Sequence, residues 1–92
     1  MTAPSDLLDR AWRMSPGVSV RPESFGALLY HFGTRRLSFL KDRRLLDVVQ
    51  RLPHASTARQ ACLDAGLTPA ELPTYARALA TLADTDMLQE RP

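Results

Sequence analysis

The sequence predicts a single α+β domain in which a three-stranded antiparallel sheet is followed by three helices. Three observations lead to this prediction: a strand-like alternation runs through residues 18–41, the pattern changes to helical spacing after Asp42, and 92 residues can bury one modest core. The sequence contains no internal repeat and no linker long enough to separate domains. We therefore divide it only into an N-terminal segment, residues 1–15, and a main domain, residues 16–92.

The N-terminal segment is predicted to contain a short helix. Leu7, Leu8, Ala11 and Trp12 fall on one side of such a helix. The Pro-Gly pair at residues 16–17 then breaks the chain, and the main domain begins with its first strand.

The sheet is predicted from strands at about residues 18–22, 27–32 and 35–41. Gly33 and Thr34 form a two-residue loop with glycine first, which is typical of a type II′ hairpin and fixes the register of the second and third strands. The cross-strand pairs on one face are then Phe32 with Arg35, Tyr30 with Leu37 and Leu28 with Phe39, and those on the other are His31 with Arg36, Leu29 with Ser38 and Ala27 with Leu40. We expect the first of these faces to point into the core.

The first two helices are predicted at about residues 43–52 and 56–65. Asp42 can cap the first helix and Ser56 the second, because short polar side chains accept hydrogen bonds from the free amides of a first turn. Gly66 is placed to end the second helix in the left-handed conformation.

The third helix is predicted at about residues 69–84. Thr68 and Glu71 have the spacing of a capping box, and Pro69 suits the first helical position. Pro73 conflicts with a helix that is already under way, because it has no amide to donate and its ring crowds the preceding turn. We therefore expect a kink, or a helix that starts near Pro73.

Positive charge is concentrated in the middle of the chain. Residues 1–34 have no net charge, residues 35–59 hold seven basic and two acidic side chains, and residues 60–92 hold two basic and five acidic ones. An anionic partner would be drawn to the middle segment, although the same charges also suit an ordinary solvated face.

The residue types argue against catalysis, a metal and a cofactor. The chain has two histidines and one cysteine, with no glycine-rich phosphate loop, no paired metal-ligand spacing and no nucleophile elbow. The single cysteine also excludes an internal disulfide. No long apolar run and no secretory leader pattern is present, so we expect a cytoplasmic protein that does not enter a membrane.

Two binding functions remain open. The third strand, residues 35–41, is an outer strand without Pro or Gly, whereas Pro16 and Pro22 blunt the first strand. Its basic residues either protect this edge from aggregation or select an acidic peptide that pairs as a fourth strand. The alternative is a winged-helix DNA-binding protein, which the spacing of the last two helices suggests. The third helix would then contact the DNA, but it has Glu71 near its start and Arg77 as its only basic residue, and an acidic helix would be repelled by the duplex.

Two blocks of the chain are distinctive: residues 21–41 (RPESFGALLYHFGTRRLSFLK) and residues 72–83 (LPTYARALATLA). Both resemble the family of mycofactocin biosynthesis peptide chaperones. These proteins are recognition elements for ribosomally made, modified peptides (RiPP recognition elements), similar in fold to the small chaperone of pyrroloquinoline quinone biosynthesis. The resemblance implies a winged-helix-like, non-enzymatic protein.

The resemblance also implies the partners and the site. The partners are the leader of the mycofactocin precursor peptide, bound as an added strand beside the third helix, and a radical S-adenosylmethionine maturase to which the peptide is presented. Neither a nucleic acid nor a membrane is expected as a binding partner. Whether the protein forms a homodimer, through Cys62 or a strand edge, is left open. The implied peptide-binding residues are Arg35, Arg36, Leu37, Ser38, Phe39, Leu40, Lys41, Leu72, Tyr75, Ala76 and Leu79.

Overall fold

The computed structural model describes residues 3–91 and shows an α+β fold. Its elements in chain order are α1 (Pro4–Leu8), β1 (Trp12–Met14), β2 (Val18–Glu23), β3 (Gly26–His31), β4 (Leu37–Leu40), α2 (Arg43–Arg51), a 3-10 turn (Leu52–His54), α3 (Ala58–Asp64), a second 3-10 turn (Pro69–Glu71), α4 (Leu72–Asp84) and β5 (Leu88–Glu90). The predicted fold class and three-stranded antiparallel sheet are confirmed, and α1 raises the helix count of the described part to four.

The register of the hairpin is as predicted, but its loop is different. Tyr30 pairs with Leu37, and the three following pairs agree with the prediction. The hydrogen bond that closes the loop runs from the amide of His31 to the carbonyl of Arg36 at 2.9 Å, so the loop has four residues instead of two. The residue in the left-handed conformation is Arg35, with φ 62°, and not Gly33. A two-residue and a four-residue loop with the same centre bring the same residues opposite each other, so the register survives.

The prediction of the core face of this sheet is wrong. Ala27, Leu29 and Leu40 are buried, whereas Leu37 and Phe39 on the other face are exposed. The buried face packs on α2, which follows β4 directly. Both faces of the hairpin are apolar, so the alternation of side chains could not choose between them.

The helices follow the local signals closely. Asp42 caps α2 by accepting from the amide of Arg44 at 2.8 Å, and Gly66, with φ 91°, follows α3. Thr57 caps α3 instead of the predicted Ser56. The α-helix α4 starts at Leu72, with Pro73 in its first turn, so the second of the two outcomes expected for this proline is the observed one.

Residues 12–14 and 88–90 meet in a second, two-stranded sheet that was not predicted. Antiparallel strands β1 and β5 pair Trp12 with Glu90 and Met14 with Leu88. Trp12 lies in β1 instead of a helix, is buried, and donates its indole N–H to the carbonyl of Leu7 at 2.9 Å. The N-terminal segment thus packs into the same core as α4, in which Leu79 and Met87 are fully buried.

Gly26 fixes the distance between the start of β3 and the end of β4. Its φ is +151°, and a Cβ atom at this position would overlap the carbonyl oxygen of Leu40. Only glycine fits such an approach of two backbones, so this residue positions the point where β4 passes into α2.

Candidate functional site

The far edge of β4 is open. The sheet order is β2-β3-β4, and within residues 3–91 no strand pairs with the other side of β4. Antiparallel strands bond through alternate residue pairs, and His31 with Arg36 is a hydrogen-bonded pair. Ser38 and Leu40 therefore bond to β3, whereas Leu37 and Phe39 turn their N–H and C=O groups toward the open edge. These four backbone groups are available to a guest strand.

A groove runs between this edge and helix α4. We call it the β4–α4 groove. Two adjoining clefts form it and share Leu45 of α2 and Ala78 of α4. Its strand side consists of Ser38, Phe39, Leu40 and Lys41, and its helix side of Thr74, Tyr75, Ala78, Thr81 and Leu82. The lining is mainly apolar, and three of the five helix-side residues, Thr74, Ala78 and Thr81, are small, which leaves room for side chains of an extended peptide.

A polar network closes the end of the groove where β4 passes into α2. The hydroxyl of Tyr75 donates to the Asp42 carboxylate, and Arg44 lies over the Tyr75 ring, 5.6 Å from its centroid, while it pairs with Glu71 at 2.7 Å. Burial, followed by the effect of Asp42, raises the pKa of Tyr75. The Thr68 amide, followed by Arg44, lowers the pKa of Glu71. The network joins the start of α2 to α4 at this end of the groove.

The positive charge predicted for the middle of the chain divides into two groups. Three arginines are paired with carboxylates: Arg44 with Glu71, Arg51 with Asp47 and Arg59 with Asp9. Within residues 3–91 no carboxylate pairs with the other four, Arg35, Arg36, Lys41 and Arg43, and Arg43 donates to the carbonyl of Ser24 at 3.1 Å. Three of these uncompensated cations, Arg35, Arg36 and Lys41, flank β4 at its two ends.

The structure brings together the strand residues that the resemblance implied, together with one of the helix residues. Leu37 and Phe39 stand on the exposed face of the sheet, and Phe39 borders the groove together with Ser38 and Leu40. Tyr75 forms part of the helix side of the groove. Arg35 and Arg36 lie in the loop before β4, and Lys41 follows the strand. The remaining three implied residues, Leu72, Ala76 and Leu79, are buried in the core and do not border the groove.

The groove residues that sequence reasoning missed are Thr74, Ala78 and Thr81. They follow the i, i+4, i+7 spacing of one helix face, beside the apolar stripe that fills the core. A second stripe of small residues next to the core stripe was a signal for this wall. The uncertain helix phase at Pro73 concealed it. Leu45 and Leu82, which also line the groove, were expected only as apolar core residues of the first and third helices.

The other chemistry-bearing residues lie elsewhere. His31 accepts from the amides of Gly33 and Thr34 through Nδ1, at 3.0 and 3.2 Å, and so stabilises the hairpin loop. Cys62 is fully buried, and burial raises the pKa of its thiol to about 11. Among residues 3–91 no three His, Cys, Asp or Glu side chains are grouped so that they could hold a metal ion. In the same part of the chain, no helix is both long and apolar enough to cross a membrane.

Comparison with known proteins identifies relatives of this chain. The sequence profile of the family described as the Peptide chaperone MftB family matches residues 11–89. The chain is 54% identical over 83 residues to Peptide chaperone MftB of Mycobacterium tuberculosis, a match that covers 90% of this chain and 76% of that protein. It is 49% identical over 80 residues to Peptide chaperone MftB of Mycolicibacterium smegmatis, covering 87% and 78%. No solved structure matches the chain significantly.

Proposed function

The chain belongs to the Peptide chaperone MftB family, and from this premise we propose that it binds the leader of the mycofactocin precursor peptide as a fourth strand on β4. It then presents the peptide to a radical S-adenosylmethionine maturase. The expected family and the expected non-catalytic role are both confirmed by these relatives. The winged-helix-like arrangement, the cytoplasmic location and the identity of both partners are parts of the proposal.

The observation that supports it most is the open edge of β4 beside a groove. A peptide in extended conformation gains four main-chain hydrogen bonds there, two each from Leu37 and Phe39. At a net of about 0.5 to 1.5 kcal/mol each they contribute roughly 2 to 6 kcal/mol. This is of the same order as the lower estimates of the cost of association, so side chains in the groove must supply the remainder.

Selectivity comes from the groove and from charge. Alternate side chains of the guest strand point toward α4, where Leu45, Ala78 and Leu82 offer apolar contacts. The intervening ones stand on the opposite face, beside Leu37 and Phe39. Acidic residues at the two ends of the peptide segment meet the uncompensated cations that flank β4. An acidic peptide with apolar residues at alternate positions is therefore the ligand that the groove suits.

Isothermal titration calorimetry with two ligands tests the proposal. A synthetic leader peptide of the precursor is expected to bind with micromolar or tighter affinity, while a random-sequence DNA duplex of similar charge gives no heat of binding. Binding of the duplex without binding of the peptide would support the winged-helix DNA-binding alternative and refute the chaperone function proposed here.

A further inference from the structure

The face of the three-stranded sheet that points away from the core carries an exposed apolar patch. We call it the outer face. Its members are Phe25, Leu28, Tyr30, Phe32, Leu37 and Phe39. Phe25 and Phe39 contact each other with ring centroids 6.4 Å apart, and Tyr30 meets Phe32 edge to face at 4.9 Å.

This patch is not a scatter of single exposed residues. Five large apolar side chains of the described part are exposed, and four of them, at 46 to 65%, lie on the outer face. The fifth, Leu63, is on α3. Apolar clusters of this kind on a small domain mark a surface that another molecule covers.

The bound peptide covers only one margin of the outer face. A guest strand lies in the plane of the sheet about 4.8 Å from β4, and its side chains reach the residues directly beside it, Leu37 and Phe39. Tyr30 lies one strand farther away, on β3, and Phe32 is in the loop. Most of the patch thus stays exposed when the groove is filled.

The charges around the outer face indicate what covers it. Lys41 lines a cleft together with Phe25 and Phe39, and the side chain of Arg21 on β2 is 77% exposed. Glu23 is the sole carboxylate of residues 18–41, against Arg21, Arg35, Arg36 and Lys41. It pairs with Arg21 at 3.0 Å, so the net positive charge of this border comes from the other three cations. A second copy of this chain would bring a second basic border against the first, which costs energy in an interface. A partner with an apolar surface bordered by carboxylates fits both features.

We propose that the outer face is the docking surface for a second protein of that description, bound at the same time as the peptide. Resting on the proposed function, this protein is the enzyme that modifies the peptide. The two sites are continuous: outward side chains of the guest strand stand beside Leu37 and Phe39, so an enzyme seated on the outer face touches the bound peptide as well. Enzyme and peptide would then be held together by one composite surface.

The test uses Phe32→Ser, with Leu63→Ser as the matched control that removes an exposed apolar side chain from another surface. Calorimetry with the leader peptide and biolayer interferometry with the radical S-adenosylmethionine maturase, at saturating peptide, are run on both. Phe32→Ser is expected to keep the peptide Kd within about twofold and to weaken binding of the maturase by about tenfold or more. Leu63→Ser is expected to change neither. Arg21→Glu tests the charge in the same way, and it too should weaken only the maturase.

The outcomes separate this inference from the proposed function. Normal binding of the maturase by both Phe32→Ser and Arg21→Glu overturns the docking surface while peptide binding stands. Failure of the wild-type chain to bind the peptide refutes the proposed function itself, whatever the maturase does. A wild-type dimer in sedimentation that Phe32→Ser converts to a monomer would show that a second copy covers the outer face, which also overturns the inference.

Discussion

Phe39→Pro should abolish or strongly weaken peptide binding while leaving the chaperone folded. Phe39 faces Leu28 in a pair that makes no β3–β4 hydrogen bond, so proline removes an amide that points only toward the open edge. The side chain lost is 59% exposed, and the preceding Ser38 is already extended, the conformation that a following proline favours. The perturbation therefore acts on the docking edge and not on the sheet.

The expected magnitude follows from one unsatisfied group. The peptide carbonyl that would accept from the Phe39 amide is left buried without a hydrogen-bond partner, which weakens the free energy of peptide binding by about 1 to 3 kcal/mol. Since about 1.4 kcal/mol corresponds to a tenfold change in Kd, the affinity should fall roughly 5- to 150-fold, and the proline ring adds steric hindrance to this. Calorimetry with the leader peptide measures the change.

Two control variants separate the backbone from the side chain. Phe39→Ala removes the ring and keeps the amide, so the difference between the two variants reports the hydrogen bond. Val20→Pro removes the corresponding outward amide from the opposite edge of the sheet, on β2, and should leave peptide affinity unchanged. The reasoning is refuted if Phe39→Pro, shown to be folded by circular dichroism, binds as well as Phe39→Ala, or if Val20→Pro loses as much affinity.

Three other outcomes are expected. Peptide affinity should fall roughly three- to tenfold between about 0.05 and about 0.5 M salt, because uncompensated cations flank β4, and Lys41→Gln should flatten this dependence in the same titrations; a flat wild-type profile would remove charge from the mechanism. The Thr68 and Arg44 contacts of Glu71 lower its pKa, so they stabilise the fold above the pKa of the unfolded carboxyl group and lose this effect as the pH falls through the pKa in the folded state. Urea unfolding from about pH 6 to about pH 3 should therefore show a smaller loss of unfolding free energy for Glu71→Gln than for the wild type. The same pH dependence in both proteins would contradict this. Cys62, buried and with a thiol pKa of about 11, should react with Ellman's reagent only as the protein unfolds, and rapid labelling of the native protein would show that α3 opens.

Much of the fold could be predicted from local signals. Asp42 before an apolar helical pattern, Gly66 after one, and the Thr68-to-Glu71 spacing each act within a few residues, and the structure contains all three. The hairpin register was correct even though the loop type was not, because register depends on where the loop is centred. The sheet of β1 and β5 could not be predicted, because three-residue strands about 75 residues apart in sequence have no local signature.

The site was predicted in part for the same reason. The edge strand could be recognised because it lacks proline and glycine, which is a local property. The helix side of the groove could not, because Tyr75 and Leu79 belong to one apolar stripe and only the packing of α4 decides that the first borders the groove and the second fills the core.

The sequence by itself determined the order of the elements from β2 to α4, the register of the hairpin and the excess of positive charge around β4. The tertiary structure decided which face of the sheet is buried. Both faces are apolar, and the helix that follows β4 packs on the one that carries Ala27 and Leu40, leaving Leu37 and Phe39 in solvent. The alternation of residues along a strand shows that neighbouring side chains point in opposite directions. Which direction is inward depends on the position of α2, because burial depends on contacts between elements.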